Sequence, residues 1–173
     1  MPTPDPVRLM SGPLTLTFEW QGDRFGHRIT LQPQAPSSAG PTPLLASLEG
    51  TPDDLWPASP PLQECHVESR PDGRQVALLV GRAGRSHWSL SVLCDPAAGS
   101  FFFEAACRLS GDPAWLGSRY QSFPAASAAL EVTRSSADEQ GEQVGSDLMI
   151  AAPVSTATNT RTVQWSYLMR PTS

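Results

Sequence analysis

Between Leu62 and Arg108 apolar and polar residues alternate in four runs, LQECHVES, RQVALLVG, HWSLSVL and FFFEAACR. The segments between them, RPDG, RAGRS and CDPAAGS, are rich in Gly, Pro and Asp. A period of two residues predicts strands, and short turns of this chemistry predict an antiparallel meander. Pro71 fixes φ for a turn at Asp72-Gly73, and Gly73 supplies the left-handed position that follows. Alternation from that turn places Val76, Leu78 and Val80 on the core face, with Ala77, Leu79 and Gly81 opposite. Trp88, Leu90 and Val92 are expected to face the first set, and His87, Ser89 and Ser91 to point away. In the last run Phe101, Phe103, Ala105 and Cys107 read as core, while Glu104 and Arg108 mark the other face. A sheet that is dry on one side needs a second layer there.

The rest of the chain is read from the same pattern. Met1 to Pro13 is Pro-rich and is expected to be a loose arm. Leu14 to Trp20 and Phe25 to Leu31 alternate strictly and form an N-terminal hairpin, with His27 on the apolar face as a hydrogen-bonded histidine. From Gln32 to Pro61 prolines recur so often that long ladders cannot form, since proline has no N–H to donate. Within it, Leu44 to Glu49 reads as a strand or a turn of helix. Thr51 to Trp56 reads as one helical turn capped by Thr51. Gly111 to Gly117 repeats that device with Asp112 and Pro113. Ala129 to Arg134, Leu148 to Ala152 and Arg161 to Arg170 are strands, and Ser135 to Ser146 is an exposed loop.

These elements predict an all-β protein of eight or nine strands, with residues 14–173 forming a single domain. A two-sheet antiparallel sandwich is preferred, because the long Pro-rich connection suits a crossing between sheets. A flattened or closed barrel is the alternative.

Composition narrows the classes of function. The 173 residues carry a net charge of −5, and every basic residue is Arg. The absence of Lys points first to GC-rich coding. An acidic chain without a basic block is not expected to bind nucleic acid nonspecifically. No apolar run reaches the length of a membrane span. MPTPDPVRLM has no apolar stretch behind basic residues, so no secretory leader is expected there. Cys65, Cys94 and Cys107 are odd in number and form no CxxC. They read as free thiols in a reducing compartment, which implies the cytoplasm.

No catalytic signature is present. HExxH is absent, and Gly84-Arg85-Ser86-His87-Trp88 lacks the second glycine of GxSxG. A P-loop is impossible without Lys. His27, His66 and His87 fall on separate runs, so neither a metal nor a cofactor is expected. Two groupings are candidates for binding an unknown small molecule or protein partner. Arg82, Arg85 and Ser86 lie on a glycine-flanked hairpin tip that suits a small anion. His87, Glu104 and Arg108 share the polar sheet face, where an imidazole and a carboxylate could also do acid/base work. Trp56, Trp115, Tyr120 and Phe123 lie in irregular stretches, as stacking surfaces or as plugs for the open core. A non-catalytic binding module is therefore the leading expectation, with a small hydrolase or isomerase acting through His87 and Glu104 as the alternative.

Overall fold

The computed structural model describes residues 3–33, 40–134, 142–153 and 161–172. Their strands are β1 (Val7–Ser11), β2 (Leu14–Trp20), β3 (Phe25–Leu31), β4 (Thr42–Ser47), β5 (Glu64–Ser69), β6 (Gln75–Ala83) and β7 (Ser86–Asp95). They continue with β8 (Ser100–Arg108), β9 (Gly117–Ser122), β10 (Leu130–Arg134), β11 (Glu142–Val144), β12 (Asp147–Ala151) and β13 (Thr162–Pro171). The helix α1 (Ala126–Ala129) is a single turn. Two antiparallel sheets result, ordered β1-β2-β3-β4-β9-β12-β11 and β10-β13-β8-β7-β6-β5. Both are open, so the fold is a sandwich and not a barrel. No described helix is long and apolar enough to cross a membrane.

The meander is present as β5 to β8, each strand paired with the next. Gly73 takes φ 84° in the first turn, and Gly84 takes φ 55° in a two-residue turn closed by the Ala83–Ser86 pair. The face assignment is right for β7 and β8 and wrong for β6. Ala77, Leu79 and Ala83 are buried on the core parity; of the set expected inside, Val76 is buried, while Leu78 and Val80 are exposed on the outer face. Register gives the reason: Ala77 pairs with Val92 and Gly81 with Trp88, so small residues of β6 sit beside bulky ones of β7 on the core side. Gly81 is required there, since a Cβ would stand 1.7 Å from the Pro61 carbonyl oxygen.

Several segments expected to be irregular are ordered. Val7–Ser11, assigned to a loose arm, pairs with β2 and buries Leu9. The Ser11 hydroxyl donates to the carbonyls of Asp95 (2.6 Å) and Ser100 (3.1 Å), tying β1 to the opposite sheet. In the Pro-rich stretch, β4 occupies the middle of its sheet, and Pro57 and Ser59 to Leu62 are buried. The Ser59 hydroxyl donates to the Arg119 carbonyl and accepts from its N–H, while Phe25 N–H donates to the Leu62 carbonyl. This stretch therefore closes one side of the core before the chain crosses to the second sheet. Neither expected helical turn forms. Asp54 accepts from the Thr51 N–H through its carboxylate (2.6 Å), reversing the cap, and residues 111–116 are an extended bend. The exposed loop expected at Ser135 to Ser146 falls partly outside the described residues; Glu142–Val144 is an edge strand.

The inner faces interlock through aromatic residues. Phe103 stacks on Tyr167 at 4.8 Å, and Trp88 meets Trp165 and Trp56 edge to face. The three cysteines are free thiols, Cys94 and Cys107 buried and Cys65 half-buried. Burial pushes Cys65 up to about 11 and Cys107 up to about 12. Few thiolates then exist at neutral pH. Both are expected to react with a disulfide reagent at least tenfold more slowly in the folded protein than in urea, as mass spectrometry of timed aliquots would read.

Candidate functional site

Cross-strand pairing arranges the outer face of the six-stranded sheet in rows. Arg82 pairs with His87, His87 with Arg108, and Arg108 with Thr162, giving a row with three nitrogen-rich side chains. The next outward row is Glu64, Val80, Ser89, Ala106 and Gln164. The one beyond is His66, Leu78, Ser91, Glu104 and Ser166. Alternate residues of a strand share a face, so each row lies about 6–7 Å from the next.

A depression of about 770 Å³ opens over the first two rows, lined by Arg82, His87 and Arg108 together with Glu64 and Gln63. Arg82 and Arg108 are exposed, and among the described residues neither forms an ion pair. The backbone of Arg82 is held by Gln63: its N–H donates to Gln63 Oε1 (2.7 Å), and its carbonyl accepts from Gln63 Nε2 (3.2 Å). Gln63 therefore fixes the strand end that carries the cation through its backbone alone. A second depression, of about 550 Å³, continues over the next row to Glu104 and shares Val80, Ser89 and Ala106 with the first.

The expected site is thus partly assembled. Arg82, His87 and Arg108 come together. Arg85 is exposed at the hairpin tip, away from the lining of the depression. Ser86 is buried, its hydroxyl 3.0 Å from that of Ser110 and accepting from the Ser110 N–H, so it fastens the hairpin to the chain after β8. Glu104 pairs with Ser91, two rows from His87. Four residues along a strand span about 13 Å, too far for one acid/base pair. Trp56, Trp115, Tyr120 and Phe123 lie apart from the depression, Trp56 and Trp115 half-buried. Tyr120 is on β9 and fully buried. Trp56 packs on Trp88. Trp115 donates its indole N–H to the Ala58 carbonyl (3.0 Å) and lies under Arg119.

Within the core is a polar cluster that the sequence reading did not assemble. His27 Nε2 lies 2.9 Å from the Tyr120 hydroxyl, which lies 2.6 Å from that of Tyr167. Burial holds His27 down to about 4, so it is neutral at pH 7 and accepts or donates as a tautomer. At the rim of this cluster Glu49 accepts from the Ser47 hydroxyl (2.5 Å). Burial, opposed by that hydrogen bond, raises Glu49 to about 7. Arg24 is almost wholly buried and binds Asp23 at 2.6 Å. The one signal of this cluster in the sequence is His27 itself, a polar residue on the apolar face of an alternating strand, which must find a partner across the sheets. No family model, curated protein or solved structure matches the chain.

Proposed function

We propose that this chain is a non-catalytic binding domain that takes a small anionic ligand on the outer face of its six-stranded sheet. The observation that carries the reading is the row Arg82–His87–Arg108, two unpaired arginines flanking an imidazole over one depression. Guanidinium groups held by backbone register are suited to bidentate recognition of carboxylate or phosphate. Five of the ten arginines elsewhere, Arg24, Arg28, Arg74, Arg119 and Arg170, form an ion pair with Asp or Glu. Arg8, Arg70, Arg85 and Arg161 are exposed as well, but none of them lines this depression; what distinguishes the row is two guanidinium groups and an imidazole side by side over one concavity in a chain of net charge −5. Acid/base chemistry between His87 and Glu104 is the weaker reading, given their separation. A cytoplasmic location belongs to the same proposal and is supported by the three free thiols.

Inorganic phosphate is the simplest probe. It stabilises most proteins weakly by exclusion from their surface, so the comparison is with a double variant, Arg82→Ser with Arg108→Ser. The wild type is expected to show an additional rise in melting temperature between about 1 and 20 mM phosphate at constant ionic strength, logarithmic in phosphate above Kd and absent from the variant. A tenfold excess over Kd corresponds to about 1.4 kcal/mol. Parallel curves for the two proteins would exclude the row as an anion site.

A further inference from the structure

The two depressions form one trough, because Val80, Ser89 and Ala106 line both. Its ends carry opposite charge. Arg82, His87 and Arg108 stand at one, and Glu104 stands at the other without an ion pair among the described residues. Arg108 and Glu104 are on the same strand and the same face, four residues and about 13 Å apart. The floor between them is uncharged and mixes apolar with hydroxyl groups. Leu78 and Val80 are 40% and 48% exposed, and the hydroxyls of Ser89 and Ser91 alternate with them across the β6–β7 pairs.

An occupant that satisfies this trough has an anionic group and a cationic group about 13 Å apart, with apolar and hydrogen-bonding groups alternating between. An acyl chain fails, because it would strip water from Glu104 and from the serine hydroxyls and return nothing. An extended chain of four amino acids spans about 13–14 Å. It carries a carboxylate at one end, an ammonium at the other and amides between. We infer that the trough takes a short free peptide of about four residues, its C-terminal carboxylate on the arginine row and its N-terminal ammonium on Glu104. This inference rests on the anion site proposed above and adds the second charge, the length and the polarity. Glu64 stands at the edge of the trough's cationic end, beside Val80, and selects against a second carboxylate on the peptide there.

The test uses a tetrapeptide of alanine and leucine with both termini free, its N-acetylated form and its C-terminal amide, titrated calorimetrically into the folded protein and into Glu104→Gln. The free peptide is expected to bind, and acetylation to weaken binding about tenfold in the wild type but not in Glu104→Gln. Amidation should weaken binding in both proteins to the level of the Arg82→Ser variant. Glu104 is exposed, so the substitution is not expected to disturb folding. If phosphate binds saturably but the free peptide does not, or if acetylation costs the same in both proteins, the dipolar occupant is wrong and the anion site stands. If phosphate itself shows no saturable binding, the underlying reading falls with it.

Discussion

Replacing Trp88 by alanine is expected to destabilise the protein by about 3–5 kcal/mol, the range for removing a large buried aromatic side chain. Trp88 is 2% exposed, between Trp56 and Trp165, and belongs to both the core and the lining of the depression over Arg82, His87 and Arg108. Its indole N–H has no hydrogen-bond partner among the described residues, so burying that donor already costs about 1–3 kcal/mol. Two effects then oppose each other in Trp88→Phe. The lost ring area is destabilising, and the lost unpaired donor is stabilising. The phenylalanine variant is expected to lie within about 1.5 kcal/mol of wild type. Urea unfolding of both variants checks this; a loss below about 1 kcal/mol for Trp88→Ala would contradict the burial of the β7 face.

The second large effect is on the pH dependence of stability. His27 is ordinarily near 6.5 and is held near 4 in the fold; Glu49 is ordinarily near 4.5 and is raised to about 7. From pH 6.5 down to 4 the unfolded chain binds a proton at His27 that the folded chain does not, so acidification destabilises. From pH 4.5 up to 7 the folded chain keeps a proton at Glu49 that the unfolded chain has released, so raising the pH destabilises. Each shift is worth about 3 kcal/mol, and the two slopes oppose over pH 4.5–6.5. Wild type is thus expected to show a flattened profile there. Glu49→Gln should expose the His27 slope, losing about 3 kcal/mol more than wild type on acidification from pH 6.5 to 4. His27→Gln should expose the Glu49 slope, losing about as much relative to wild type as pH rises from 4.5 to 7. Differences from wild type remove the contribution of Asp23, Asp72 and Glu131, whose arginine partners hold them low in every variant. Profiles parallel to wild type in both variants would mean that neither group is buried as described.

What could be read in advance follows from how far the signal was local. β7 places all its large apolar residues but Leu93 on one parity, so alternation alone identifies Trp88, Leu90 and Val92 as core. β6 has apolar residues on both parities, and size suggested that Val76, Leu78 and Val80 faced inward. The bulk of Trp88 across the pair decides otherwise, a fact held in the neighbouring strand and not in β6. β1, β4 and β9 were missed or left open because Pro, Ser and Gln interrupt their alternation, and their order comes from pairing with distant segments. The same logic divides the site. His87 and Arg108 were placed on one face by alternation alone, and Arg82 joins them through a hairpin register set by Gly84. Ser86 looked available for a ligand but is buried against Ser110, a partner 24 residues away.

An anion is expected on the outer face of the six-stranded sheet and on no other surface. Amide chemical-shift mapping of the wild-type protein during a phosphate titration tests that most directly. The largest changes are predicted at Arg82, His87, Ser89 and Arg108, with one common saturation curve that vanishes in the Arg82→Ser, Arg108→Ser variant. Changes scattered over both sheets and rising linearly with phosphate, or a saturating set confined to the hairpin tip at Arg85, would contradict it.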